Sequence, residues 1–167
     1  MLTQERLKEL LHYDESTGIF TWRVAPNGRV RVGDVAGTER KDGHIVIAVD
    51  GRRKKAHRLA WLYVHGCLPP SDIDHADRHR PNNRISNLRL ATRSQIKMNM
   101  GLSAINTSGF KGVSWDKAER KWRSSARING RLRFLGHFST PEAASEAYQA
   151  FARQHHGEFY LPQEVAK

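Results

Sequence analysis

Apolar residues recur along this chain at two different periods, and the changes between them mark its elements. Leu7, Leu10 and Leu11 share one helical face behind Thr3, a good N-cap, so a short helix is predicted over residues 3–11. "DESTGIFTWRV" reads as a turn running into a strand that carries Ile19, Phe20 and Trp22. Gly33, Gly37 and Gly43 punctuate the next stretch. "HIVIAVDGRRKKAH" then reads as a strand, an Asp-Gly turn and a second strand, with Arg52, Arg53, Lys54 and Lys55 as a basic cluster at the hairpin tip. "HRLAWLYVHG" has the apolar content of a buried helix closed by Gly66, and "LPPS" cannot continue it.

In the middle of the chain a short run ends at Ile73, Asn82-Asn83 supplies a turn, and Ile85 and Leu88 resume an apolar pattern. Thr92 and Gln95 have capping-box spacing, so a helix is predicted to start there. "MGLSAINTSG" is small and polar and reads as a linker. From Phe110 onward "GFKGVSWD", "KWRSSARI" and "RLRFLGHF" are three strand-like runs separated by "KAER" and "NG" turns. Ser139-Thr140-Pro141-Glu142 opens a last helix reaching about Gln154, with Ala143, Ala147, Ala150 and Phe151 along one side. The expected organisation is α+β: an N-terminal domain over residues 1–100, a linker at 101–108 and a C-terminal domain over 109–167.

Charge changes this picture more than length does. The 167 residues carry a formal net charge of +11 and a pI near 10.3, an excess that favours a polyanionic partner through counterion release. A membrane surface would require a basic amphipathic helix or a lipid signal, and neither is evident. Cys67 is the single cysteine, so disulfide frameworks and cysteine-rich zinc sites within one chain are excluded. "MLTQERLKELL" is amphipathic and charged, without the apolar core of a signal peptide, and a cytoplasmic location is expected.

"SDIDHADRHRPNNRISNLRLATRSQ" concentrates the chemistry. Asp74 and His75 stand at the predicted end of a strand, where a bulge or bend would let both reach one phosphate. Phosphodiester cleavage needs a base to activate water and a cation to neutralise charge on the leaving oxygen. A histidine titrating near neutrality suits the first task, and a carboxylate with an amide oxygen suits a water-retaining Mg²⁺ for the second.

The segment "AHRLAWLYVHGCLPPSDIDHADRHRPNNRISNLRLATRSQ" resembles the HNH endonucleases of phages and mobile introns. That resemblance implies a ββα-metal core, a homing-type DNA endonuclease activity on double-stranded DNA and one Mg²⁺ (or Mn²⁺) ion. It implies His75 as general base, Asp74 as a metal ligand, Asn87 as the residue that ties the loop and orients the base, and His57 as structural. For a phage-encoded chain the location implied is the host cytoplasm. The sequence departs from the family at "ATRSQI": Ile96 stands where an Asn or His ligand is usual. Asn99, one turn on and about 60° further round a helix, is the substitute candidate. Weakened metal binding, a degenerate nuclease and an inactivated version all stay open.

The segment "FKGVSWDKAERKWRSSARINGRLRFLGHFSTPEAASEAYQAFARQHHG" is similar to the Apetala-two DNA-binding domain of plant ethylene-response factors. The similarity implies a three-stranded antiparallel sheet packed on one helix, with the sheet in the DNA major groove. Lys111, Lys121, Arg123, Arg127 and Phe134 match its DNA-facing positions, whereas Ser114 replaces an Arg usual in plants. Period-two alternation agrees, because Arg123, Ser125 and Arg127 share one face of "KWRSSARI" while Trp122, Ser124, Ala126 and Ile128 share the other. His155 and His156 lie outside any metal-ligand spacing. Two functions follow from the sequence: a DNA endonuclease that also grips duplex through Arg52, Arg53 and Lys54, or a non-catalytic DNA-binding protein on a degenerate nuclease core. No protein partner is evident.

Overall fold

Thr3 caps the first helix as expected, its hydroxyl accepting the Arg6 N–H, but the chain leaves helical geometry one residue early. The computed structural model describes residues 2–128 and 130–162. In it α1 spans Gln4–Leu10, and Leu11 is already extended, opening strand β1 (Leu11–Asp14). β1 pairs antiparallel with β2 (Ile19–Trp22), so the predicted turn joins two strands. In that turn the Asp14 carboxylate accepts from the backbone of Ser16 and Thr17, and Gly18 takes a φ of 76°. This is a left-handed conformation that favours glycine.

β3 (Thr38–Glu39), β4 (Ile45–Val49) and β5 (Arg52–Lys55) form an antiparallel sheet in that order. Asp50 and Gly51, with φ of 47° and 72°, make the predicted two-residue hairpin turn. The basic cluster is therefore strand β5 itself, exposed throughout, rather than a hairpin tip. α2 (Ala56–His65) follows without a break, and left-handed Gly66 ends it with an N–H bonded to the Leu62 carbonyl. β6 (Asp72–His75) and β7 (Leu88–Ala91) form a two-stranded ladder joined by a loop and a single 3-10 turn, Ile85–Asn87. Leu7, Leu11, Phe20, Ile47, Leu59 and Leu62 make one core, to which Ile73 and Leu88 anchor that ladder.

The chain divides into two compact units, residues 1–91 and 92–167. The second contains α3 (Arg93–Asn99), whose Thr92–Gln95 capping box forms as predicted. The expected linker at 101–108 thus falls inside this unit. Its sheet is β8 (Val113–Asp116), β9 (Lys121–Ile128) and β10 (Arg131–Phe138), antiparallel with β9 central. The turn after β9 was expected at Asn129-Gly130, of which Asn129 lies outside the described residues.

α4 (Pro141–His155) packs on this sheet. Its buried face is Ala144, Ser145, Tyr148 and Ala152, about one position round from the expected stripe of Ala143, Ala147, Ala150 and Phe151. Alanines carry little pattern, and the large Tyr148 ring, packed with Ala126 and Ala152, sets the face. The fold is α+β, as the sequence implied. Among the described residues no helix is long and apolar enough to cross a membrane.

Candidate active site

His75 is the last residue of β6, and the loop that follows is built around it. The β6–β7 ladder is regular, pairing Asp74 with Arg89 and His75 with Leu88, so the expected bulge does not form. Neighbouring side chains on an unbroken strand leave it in opposite directions. Asp74 accordingly meets Arg89, whose Nε and Nη2 donate to Asp74 Oδ2 at 3.0 and 2.8 Å. His75 turns to the other side, where its Nε2 lies 3.2 Å from Asn83 Oδ1.

That contact fixes the tautomer. Asn83 Nδ2 donates to the Pro81 carbonyl at 3.0 Å, which leaves Oδ1 facing the imidazole. A carbonyl oxygen only accepts, so the hydrogen resides on His75 Nε2 and the lone pair on Nδ1. Asn83 is itself held by Tyr13, whose hydroxyl donates to the Asn83 carbonyl at 2.7 Å. Burial pushes the Tyr13 hydroxyl up to about 12, keeping it a donor. The sequence pointed to Asn87 for orienting the base, and the structure divides that task. Asn87 ties the loop, donating to Asp77 Oδ1 and to the Asn82 carbonyl and accepting from the Asp77 N–H, while Asn83 touches the histidine. Burial opposes ionisation of Asp77, yet hydrogen bonds from Asn82, the His79 N–H and Asn87 hold its carboxyl below the usual range.

Two further imidazoles border His75. The His57 ring centroid is 5.2 Å from that of His75, and the His44 centroid is 5.2 Å from His57 and 6.1 Å from His75. Burial pushes all three below the ordinary histidine value. His57 falls to about 3, with the neighbouring imidazoles as the next cause. For His75 the Asn83 contact, Asp77 and Asp74 work against burial without overcoming it. A neutral, oriented His75 with its lone pair on Nδ1 can accept a proton from water at neutral pH.

The titration of His57 carries a stability consequence. Unfolded, the ring protonates near 6.5; folded, only near 3. The unfolded chain therefore binds more protons between these values, and the stability present above about pH 6.5 is lost progressively as pH falls toward about 3. Urea melts from about pH 8 to about pH 4 are expected to show this loss, and His57→Gln is expected to flatten it.

The sequence expected Mg²⁺ at Asp74 with Asn99, and in this structure the Asp74 carboxylate already has a guanidinium partner. Among the described residues no three His, Cys, Asp or Glu side chains are grouped as a metal site. The Asp74 carboxylate lies in an ion pair with Arg89, both side chains largely buried. A desolvated carboxylate draws its counter-charge from the guanidinium directly across the ladder. Ile96 and the buried Asn99 both lie on α3, in the second unit.

The expected DNA-contacting residues divide in the same way. Arg52, Arg53 and Lys54 are exposed along β5. On the outward side of the second sheet, Lys121, Arg127 and Phe134 are exposed and the Arg123 guanidinium lies 5.6 Å from the Phe134 ring centre. Ser124 and Ala126 face α4, so the predicted alternation holds. Lys111 departs from it: its Nζ donates to the Met98 and Met100 carbonyls at 2.6 Å, at the end of α3. Sequence reasoning missed His44, Asn83 as a partner of the base, and the Arg89 ion pair. Only Asn83 carried a signal, as half of an Asn-Asn pair read simply as a turn.

Comparison with known proteins bears on the same segment. Residues 54–98 match a family model described as HNH endonuclease. Over 106 residues the chain is 32% identical to protein 3.8 of Escherichia phage T7, covering 63% of this chain and 87% of that protein. It is 31% identical over 121 residues to an uncharacterized HNH endonuclease of Acanthamoeba polyphaga mimivirus, covering 71% and 62% of the two chains. Among solved structures it is similar to one describing DNA binding and cleavage by the HNH homing endonuclease I-HmuI. There the TM-score is 0.41 and the identity 20%, over 82% of this chain and 76% of that one.

Proposed function

Because the chain belongs to the HNH endonuclease family, we propose that it is a homing-type DNA endonuclease that hydrolyses phosphodiester bonds in duplex DNA with His75 as general base. The observation that carries this reading is the Asn83–His75 contact, which holds a neutral imidazole in one orientation inside the loop. Nδ1 takes that proton from a water as the water oxygen attacks phosphorus, and the P–O bond opposite opens. Asn87, Asp77 and Asn82 hold the loop shut around the base. HNH nucleases typically use a divalent metal ion, and the Asp74–Arg89 pair is the feature of this chain that disfavours one at Asp74.

The outward face of β9 and β10 is the proposed DNA-gripping surface, in the manner of an Apetala-two domain, with β5 as a second phosphate-binding edge. Arginines alternating toward solvent with small residues toward a helix suit phosphate and base-edge contacts. Arg127→Ala is expected to weaken duplex binding and lower the slope of log affinity against log salt by about one. Fluorescence anisotropy at several salt concentrations reads both, and an unchanged slope would remove Arg127 from the interface.

A second reading, a DNA-binding protein on a disabled nuclease core, is favoured by Ile96 and by the neutralised Asp74. Supercoiled plasmid incubated with this chain in Mg²⁺ buffer separates the two. Nicked or linear product supports the endonuclease. An inert chain that gains activity as Ile96→Asn supports the disabled core, and inertness of both with tight duplex binding leaves only the DNA-binding protein.

A further inference from the structure

We propose that His44 is a second catalytic imidazole of this site, the acid that protonates the leaving oxygen of the scissile phosphodiester; this rests on the endonuclease reading above. His44 belongs to a turn that the catalytic loop itself holds. The Arg40 N–H donates to the His44 carbonyl at 2.9 Å, the Gly43 N–H to the Arg40 carbonyl at 2.7 Å, and the His44 N–H to Asp42 Oδ1 at 3.2 Å. Arg80, from the loop after His75, donates through Nη1 to the Asp42 carbonyl at 2.5 Å. Two segments more than thirty residues apart in sequence are thereby locked together.

Within this frame Asp42 Oδ2 lies 3.2 Å from His44 Nδ1. That nitrogen is buried, and its contact with the carboxylate becomes an ion pair when the ring is protonated. Such a carboxylate orients an imidazole and stabilises its cation, leaving Nε2 to address a substrate. Lys55 and Arg80 bring positive charge to the same place. In the unliganded protein burial, Lys55 and Arg80 oppose a charge on His44, and Asp42 favours one. A phosphate drawn in by the two cations supplies the missing negative charge. His57, too buried to ionise near neutrality, packs beside both other rings with centroids 5.2 Å away.

The step balances with the two histidines alone. Water oxygen forms its bond to phosphorus and gives a proton to His75 Nδ1. The P–O bond to the leaving group breaks, its electron pair stays on that oxygen, and the oxygen takes the proton from His44 Nε2. The two ring centroids lie 6.1 Å apart, close enough for both imidazoles to reach one phosphoryl group bound beside them.

A sulfur leaving group tests this, because a thiolate departs without protonation. Full-length protein, His44→Ala, His44→Gln and His75→Ala are assayed on one duplex with either a normal or a bridging phosphorothiolate linkage at the cleaved position. On the normal linkage both His44 variants are expected to lose about 10²- to 10³-fold in rate. On the sulfur linkage that loss is expected to shrink to within about fivefold, while His75→Ala stays defective on both. Recovery on sulfur also shows that the variants are folded. Wild-type-like cleavage of the normal linkage by either variant, or an equal defect on both linkages in both variants, overturns the role of His44. Wild-type protein inert on both linkages overturns the endonuclease reading, and this inference with it.

Discussion

His75→Ala is expected to lower strand cleavage by about 10³-fold or more while leaving duplex affinity within about twofold. The substitution removes an imidazole held by a buried partner, with Asn83 Oδ1 on its Nε2. It replaces none of the arginines on β9 or β5 proposed to hold DNA. Cleavage and binding measured on the same duplex therefore separate the two functions. Rate and affinity falling together would show that His75 acts through the fold. At 5% exposure the ring also fills space, so the circular dichroism melt of the variant belongs beside the assay. A loss of about 1–3 kcal/mol is compatible with its burial and would leave the protein folded.

Gly18→Ala is expected to be the most damaging single-methyl change in the first unit. Gly18 has a φ of 76°, and a Cβ there would lie 2.4 Å from the Arg84 backbone nitrogen and 2.6 Å from the Asn83 carbonyl carbon. Neither atom is the end of a flexible side chain, so the β1–β2 turn and the Asn83–Arg84 backbone must part. Left-handed strain and backbone displacement together are expected to cost about 2–4 kcal/mol. Because Asn83 is the partner of His75, cleavage is expected to fall further than stability alone explains. Gly51→Ala is the control, since Gly51 has a similar φ of 72° but nothing within 4 Å of the point where its Cβ would stand. It is expected to cost about 1 kcal/mol and to leave cleavage unchanged. Equal losses in both variants would show that only strain matters at Gly18.

The parts of this protein that could be read from sequence are those decided within a few residues. The Asp50-Gly51 turn, the Gly66 helix stop and the Thr92–Gln95 capping box each depend on local backbone chemistry, and each forms. Alternation along β9 placed Arg123, Ser125 and Arg127 on one face because the period of a strand is short and strict. What escaped depends on register and distance. Asp74 meets Arg89 because β6 and β7 pair in one register, which no spacing announces. His44 joins His57 and His75 because the β3–β5 sheet and a long-range contact from Arg80 bring its turn to the loop. Asn87 and Asn83 are chemically alike and four residues apart in an irregular loop, so only coordinates separate the residue that ties the loop from the one that holds the base. The α4 face slipped by one position because a helix rich in alanine marks its buried side weakly, and Tyr148 decided it.

Imidazole nitrogen NMR of the uniformly ¹⁵N-labelled protein near neutral pH reads the central feature directly. A neutral His75 with its hydrogen on Nε2 and an unprotonated Nδ1 is the expected result. A ring carrying its hydrogen on Nδ1, or a doubly protonated imidazolium, would contradict the assignment of His75 as the base.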